Sequence, residues 1–444
     1  MAQLKIKENL CWDFISKRTI ITPEFDFQEG NMKKKSSLRK LLFNVYAFAF
    51  FNKLLLLSPV YAVFMQEHGM SDMQLSALFI ILSVGTFMTQ IPVTWVTNKL
   101  GQKNAINLGQ LLKAIAFVLW LVWPTFWGFS IGMFLWGIQA AFFNVAYEGL
   151  LYDELRARRH HDVYARALGM RYNVSAVAVA LSAFGSLMMP LGYEWITMAS
   201  LVAVALSMIS INKIQIRAHH KSAKRRERKT DFMKLFRTGT KICVQTPCIF
   251  LMLMLTLLVS NICYLDDYLS PIGIEIGLPV MYVGLVQFFA LGCSVLGQTF
   301  AHRFKHIPDW MLYSAICVAG GLYIVFAFNY SVAGLWALGV AYALFAAIYI
   351  LLYSRFQDFL PSSYRSVILA LFSIGENITY IVTCLLIGLG GTLGSWKYSI
   401  MFIGATLVLI GLWALVYIRD RCAVSQMPSG RIIKTTRPAG SDIV

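Results

Sequence analysis

VTNKLGQKNAINLGQLLKAIAFVLWLVWPTFW, residues 96–127, holds in one stretch the pattern that decides the fold. A loop carrying Lys99 and Lys103 leads into an apolar run from residue 105 to 124, which ends at Pro124 in a turn without Lys or Arg. A bilayer core of roughly 30 Å needs about 20 such residues in a helix, so this run is one membrane crossing with a basic end and a bare end. Working outward, the alternation repeats. The loops with Arg156, Arg158 and Arg159, with eleven basic residues from Lys213 to Lys241, with Arg303 and Lys305, and with Arg355 and Arg365 alternate with loops around 66–74, 191–194, 270–279 and 329–331 that contain no Lys or Arg. Only Lys397 breaks the rule. Short basic loops stay on the cytoplasmic side, which gives an even number of crossings and both termini inside.

Twelve apolar runs of crossing length are predicted, near 42–64, 75–96, 105–124, 127–150, 167–190, 194–212, 248–269, 281–300, 310–328, 331–353, 366–390 and 397–418. The expected class is an all-α membrane protein of twelve transmembrane helices. Its expected organisation is a cytoplasmic, disordered segment at 1–40, a six-helix bundle at 41–212, a basic cytoplasmic linker at 213–247, a second six-helix bundle at 248–418 and a cytoplasmic tail at 419–444. Residues 1–31 are polar and stripe-free, and Met32-Lys33-Lys34-Lys35 resembles a translation start, so Met32 is the expected initiator.

Composition agrees. With 58% hydrophobic and 14% charged residues, 444 residues carry more apolar surface than a soluble domain buries. The net charge of +17 sits in membrane-flanking loops, where it orients the chain and meets anionic lipid, so nucleic acid is not an expected partner. Of eight cysteines, Cys248, Cys263, Cys293, Cys317 and Cys384 fall inside predicted crossings and Cys11, Cys243 and Cys422 on the cytoplasmic side, so no disulfide framework is expected. No Gly-x-x-x-x-Gly-Lys-Ser/Thr loop and no metal-ligand spacing occurs, His302 standing without a second ligand nearby. No cofactor or metal is expected, and no catalytic constellation argues for an enzyme.

The two halves echo each other. Ala140-Ala141-Phe142-Phe143-Asn144-Val145-Ala146-Tyr147 and Ala346-Ala347-Ile348-Tyr349-Ile350-Leu351-Leu352-Tyr353 lie 206 residues apart, and Tyr164-Ala165-Arg166 is matched by Tyr364-Arg365. That order is what a duplicated six-crossing unit leaves behind.

On this ground the chain resembles the major facilitator superfamily, bacterial type. The family's Gly-x-x-x-Asp-Arg/Lys-x-Gly-Arg/Lys-Arg/Lys signature between crossings two and three is similar to Thr94-Trp95-Val96-Thr97-Asn98-Lys99-Leu100-Gly101-Gln102-Lys103. Lys99, Gly101 and Lys103 match, while Thr94, Asn98 and Gln102 depart. The resemblance implies a cytoplasmic gate at Asn98, Lys99, Gly101 and Lys103, with Asn in place of the family's Asp keeping hydrogen bonds but not charge. Tyr147-Glu148-Gly149-Leu150-Leu151-Tyr152-Asp153 with Arg166, and Tyr268-Leu269-Ser270-Pro271-Ile272-Gly273, also look like patterns of its bacterial members.

A charge near the bilayer centre costs at least about 2.5–3.5 kcal/mol and marks a functional candidate. Lys53 lies mid-run and is expected to line a cavity or to pair with Glu376. Lys113 follows Asn107 and Gln110 at spacing three, a polar strip shallow enough to snorkel, with a place in the cavity or a structural ion pair as its other readings. Glu376 with Ser373, Asn377 and Tyr380 makes one polar face on crossing eleven, which must meet protein or water. A central carboxylate there can exchange a proton or bind cargo. Asp266 and Asp267 are placed near the outer end of crossing seven, where solvation competes with a site role. Glu148, Asp153, Arg166 and Arg171 are expected to form an inner gate of ion pairs. Tyr349 shares a face with Tyr342 and Tyr353, as cavity lining or packing.

These readings predict a monomeric secondary transporter of the bacterial inner membrane. It would move a small organic solute, anionic or a carboxylate siderophore, by proton-coupled alternating access. Multidrug efflux is the alternative within the class, and a non-transporting sensor or scaffold the alternative outside it.

Overall fold

The structure, a computed structural model, describes residues 32–160, 163–216, 229–261, 264–360 and 365–418. The expectations for residues 1–31, for the 419–444 tail and for linker residues 217–228 lie outside the described residues, as does the Glu148 side chain. Residues to Leu42 form one unit, of which Met32 onward is helical, and residues from Phe43 form a second that holds everything described below.

All regular structure among the described residues is helical. Eleven helices are long and apolar enough to cross a membrane: span two Asp72–Leu100, three Gln102–Val122, four Phe126–Ala157, five Arg166–Leu191, six Tyr193–Asn212, seven Pro247–Glu275, eight Val280–Phe304, nine Asp309–Phe328, ten Leu335–Phe359, eleven Val367–Gly391 and twelve Trp396–Ile418. Local chemistry sets their ends. Ser71 starts span two with a reciprocal cap, its hydroxyl accepting from Gln74 N at 3.3 Å while Ser71 N donates to Gln74 Oε1 at 3.0 Å. Gly101 joins spans two and three at φ 80°, a conformation that disfavours any Cβ.

The remaining crossing is the first apolar run, and it differs from expectation. The run at 42–64 is not one helix but a helix ending at Lys53, an unwound stretch through Val60 and a second helix, Tyr61–Glu67. Pro59 explains the interruption, because it offers no N–H and its ring collides with the carbonyl four residues back. Freed backbone groups inside a membrane protein must find partners in protein, and here they do. Ser182 Oγ donates to Lys53 O at 3.1 Å and accepts from Leu55 N at 2.9 Å, and Ser200 Oγ accepts from Leu57 N at 2.9 Å. Lys113 Nζ donates to Asn52 O at 2.9 Å and to its Oδ1 at 3.1 Å, where Gln110 Nε2 also donates at 2.8 Å. A cation at the carbonyl end of a helix is favourable. Gln110 and Lys113 of span three therefore face the break, and Lys113 is buried rather than snorkelling, while Asn107 bonds Asn212 of span six at 2.9 Å.

The packing pattern is duplicated. In the first half span two packs on four, three on four and three on six; in the second, eight packs on ten, nine on ten and nine on twelve. The halves meet through spans two and eleven, and through spans five and eight, which are equivalent pairs under that duplication. Gly185 of span five allows the unwound stretch of span one to approach, since a Cβ there would overlap the Leu56 carbonyl. Gly185→Val is expected to destabilise the fold by on the order of 3 kcal/mol, read as a lowered thermal midpoint of purified protein by tryptophan fluorescence; an unchanged midpoint would contradict this packing.

Candidate functional site

At the end of the molecule away from the basic loops, hydrogen bonds cross from one half to the other. Tyr61 of span one donates to Asp267 Oδ1 of span seven at 2.7 Å, and Tyr380 of span eleven donates to Asp267 Oδ2 at 2.9 Å. Ser270 Oγ donates to the Pro59 carbonyl, and Tyr268 OH to Ser76 Oγ at 2.8 Å. Ser186 Oγ of span five donates to Met281 O at 2.9 Å and accepts from Gly284 N at 3.1 Å. Gly284 fits against the Ala183 carbonyl with no room for a Cβ. These contacts form a ceiling.

Asp266 and Asp267 stand near this outer end, where the sequence placed them, but among protein groups rather than in solvent. Span seven does not end near residue 269: a 3-10 segment, Tyr264–Tyr268, continues into a helix, Leu269–Glu275, whose first turn tolerates Pro271. Both carboxylates are consequently inside the protein, Asp267 held by two phenols and Asp266 with a buried Oδ1 beside Tyr342.

At the opposite end, the described ion pairs each lie within one half. Arg158 pairs with Glu154 at 3.3 Å and donates to Gln215 O at 2.8 Å; Arg355 pairs with Asp309 and donates to Ile307 O at 2.6 Å. The residues of the signature loop behave alike. Lys103 Nζ donates to Asn212 O at 2.6 Å and Ile214 O at 3.2 Å, Lys99 Nζ stands 3.6 Å over the Trp95 ring, and Asn98 is exposed. Gln102 Nε2 donates to Asp153 Oδ2 at 2.8 Å, so a neutral amide makes the tie at a position where a basic residue was expected. Arg166 is exposed, near the Tyr46 phenol.

Between the ceiling and the basic loops stand two walls. On the first, Lys53 ends the helix before the break, its side chain exposed. Its Nζ is 6.0 Å from the Phe143 ring centroid. Arg171, expected at the gate, stands instead in this group, its guanidinium 5.8 Å from Phe143, 5.6 Å from Tyr147 and 4.3 Å from Tyr172. Phe143 and Tyr147 stack at 5.0 Å with planes 22° apart. A π-helical turn, Phe143–Tyr147, carries both rings; Phe143 is half-buried, and Tyr147 is buried with its OH donating to Val45 O at 2.7 Å. Such turns inside α-helices recur at functional sites.

On the second wall, Glu376 is half-buried and accepts from Tyr349 OH at 3.5 Å. Tyr349 stacks on Tyr353 at 5.9 Å, planes 23° apart. Asn377 reaches across to the first half, its Oδ1 accepting from Ser83 Oγ at 3.4 Å while its Nδ2 donates to Ser373 O at 2.8 Å. Tyr380 follows Glu376 by one helical turn, so Glu376 sits about 6 Å below the ceiling.

The sequence reading missed Asn52, Ser182 and Ser200, which stabilise the break, and Tyr61, which closes the ceiling. A signal for the last was present: Ser58-Pro59 and Ser270-Pro271 hold equivalent places in spans one and seven.

The family model described as Major Facilitator Superfamily matches residues 42–357. A search of curated proteins found no match. Among solved structures, a mutant of the nucleoside transporter NupG aligns with a TM-score of 0.68 at 13% identity, over 84% of this chain and 98% of that one. A bacterial homolog of the human lysosomal transporter Spinster, inward-facing and unoccupied, aligns with a TM-score of 0.64 at 13% identity, over 90% and 100%. A D-xylose-proton symporter aligns with a TM-score of 0.65 at 11% identity, over 86% and 97%. At such identities the likeness is one of fold.

Proposed function

The chain belongs to the Major Facilitator Superfamily, and from that membership we propose that it moves a small organic anion across the inner membrane by alternating access, with protons exchanged at Glu376. In this reading the conformation opens towards the cytoplasm, and the contacts between halves support it. The bonds between the halves gather at the end without basic loops, while the described ion pairs at the basic end stay within each half, and basic loops are the cytoplasmic ones.

The observation that carries the anion is the Lys53–Arg171 pair above the stacked rings of Phe143 and Tyr147. The Arg171 charge acts on Lys53, and two cations so placed suit a single anionic group. A carboxylate takes the charge-assisted bonds of both, Arg supplying the planar fork and Lys a point charge; carboxylate siderophores are one class with that head group. A cargo can bias the rocking of the halves only through its difference in affinity for the two states. Proton exchange on Glu376, on the facing wall, supplies a second such difference.

Reconstituted proteoliposome flux tests this. Lys53→Ala, with Lys53→Arg as the charge-keeping control, is expected to raise KM for a carboxylate cargo by about tenfold or more, since a charge-assisted bond is worth about 1.5–3 kcal/mol. Equal flux in wild type and Lys53→Ala would remove the anion from the mechanism.

A further inference from the structure

Lys113 is a cation with an unusual set of partners. It is 2% exposed, no described ion pair includes it, and its described hydrogen bonds both end on one neutral residue, Asn52, at the main-chain O (2.9 Å) and at Oδ1 (3.1 Å). A lysine at membrane depth ordinarily pairs with an acid or lines a wet cavity. Lys113 does neither. Its place is nonetheless favourable, because Asn52 lies in the last turn of the helix that ends at Lys53, where carbonyls lose their intrahelical partners and the helix dipole is negative.

The neighbouring carbonyls show what the ammonium does there. Phe50 O accepts from Leu54 N at 2.8 Å, and Lys53 O accepts from Leu55 N at 2.9 Å and from Ser182 Oγ at 3.1 Å. Asn52 O, between them, accepts from Lys113 Nζ. Gln110, three residues before Lys113 on span three, fixes the Asn52 amide by donating to its Oδ1 at 2.8 Å. The helix end is thus clamped from two sides: span three holds Asn52, and span five, through Ser182, holds Lys53 O. Unwound carbonyls inside transport proteins are places where a metal cation binds. Here a cation arrives on a side-chain stem, so it is present at the break without depending on any ion in solution.

We propose that Lys113 is a positioning residue for Lys53: a tethered cation that holds the carbonyl end of the span-one helix and so fixes the point from which Lys53 reaches the cargo. This rests on the anion reading above and deepens it, since Lys53 is a group that reading sets against the anion. Asn52 and Lys53 are consecutive, and the Asn52 carbonyl and the Lys53 N–H share one rigid peptide plane. Holding the first therefore orients the second. The Ser182 bond ties Lys53 to the span that carries Arg171, so the two clamps together set the spacing of the two cations.

Hydrogen exchange and benzoate binding, both on the purified full-length protein, test the proposal. In Lys113→Met, which removes the charge and keeps most of the volume, amides of residues 54–57 are expected to exchange about tenfold faster or more, and the Kd of benzoate by isothermal titration calorimetry to rise about tenfold. Lys113→Arg, which keeps the charge, should restore most of both. A residue that acts only through Lys53 has no further effect once Lys53 is gone, so Lys53→Ala and the double variant with Lys113→Met should bind benzoate with Kd values within about twofold of each other. A general loss of packing would instead weaken binding in both backgrounds. If Lys113→Met does not fold, Ser182→Ala, which removes the other clamp, should raise exchange and Kd in the same way and lose its effect on Kd in Lys53→Ala. Unchanged exchange, an unchanged Kd, or a loss of affinity that persists in the Lys53→Ala background would overturn the positioning role and leave the anion reading standing. Benzoate that binds wild type and Lys53→Ala alike, or binds neither, would bring down the anion reading and the positioning role together.

Discussion

Asp267→Ala is expected to expose buried Cys384 to a membrane-impermeant maleimide added from the side without basic loops. Asp267 is the acceptor of a phenol from each half, Tyr61 at 2.7 Å and Tyr380 at 2.9 Å, so its removal cuts one bond between halves and leaves two interior hydroxyls without their acceptor. The bond between halves, made to a carboxylate, is worth about 1.5–3 kcal/mol, which corresponds to about ten- to a hundredfold in the ratio of closed to open ceiling. Cys384 lies against Tyr268 and Tyr380 and is 1% exposed, so its labelling rate reports that ratio. Asp267→Asn, which keeps one neutral acceptor, should give a smaller rise. Tyr61→Phe should resemble Asp267→Ala more than Tyr380→Phe does, because only Tyr61 belongs to the other half. Labelling at the wild-type rate in Asp267→Ala would mean that Ser270–Pro59, Tyr268–Ser76 and Ser186–Met281 hold the ceiling without it.

The two carboxylates of span seven also mark where sequence reading loses depth. Hydropathy locates a crossing but not its unwinding, since Leu54 to Leu57 are as apolar as any helical stretch. The break in span one is set by Pro59 and by partners from spans three, five and six, Lys113, Ser182 and Ser200, which no local window contains. For Asp266 and Asp267 the sequence leaves solvation and a site role open, because carboxylates ordinarily end an apolar run. Phenols from distant spans are what permit them to stay inside.

Arg171 shows the same limit differently. Its sequence neighbour Arg166 and the basic loop before it suggest a gate, and five residues past the start of span five its guanidinium stands 5.8 Å from Phe143, the ring Lys53 also approaches. By contrast, the twelve-crossing architecture was legible, because alternation of loop charge and a 206-residue echo are properties of the whole chain rather than of one contact. The echo carried more than architecture. Phe143, Tyr147, Tyr349 and Tyr353 were quoted as marks of duplication, and the structure gives them stacked rings on opposite walls.

Glu376→Gln is expected to separate accumulation from exchange. In the proposed mechanism Glu376 exchanges a proton, so a pH gradient biases loading on one face of the membrane and release on the other. Gln is nearly isosteric, still accepts from Tyr349, and titrates nowhere in the working range. Accumulation of a carboxylate cargo driven by a pH gradient in proteoliposomes should therefore fall to the level of protein-free vesicles. Counterflow down a concentration gradient should persist. A ligand or proton that binds both states equally shifts neither, which is why removing the titration abolishes uphill movement while leaving the rocking intact. Glu376→Asp, retaining a carboxylate one methylene shorter, should restore part of the accumulation. Undiminished gradient-driven accumulation in Glu376→Gln would transfer coupling to another group, and Asp266, with its buried Oδ1 on the same span as the ceiling, would be the next to substitute.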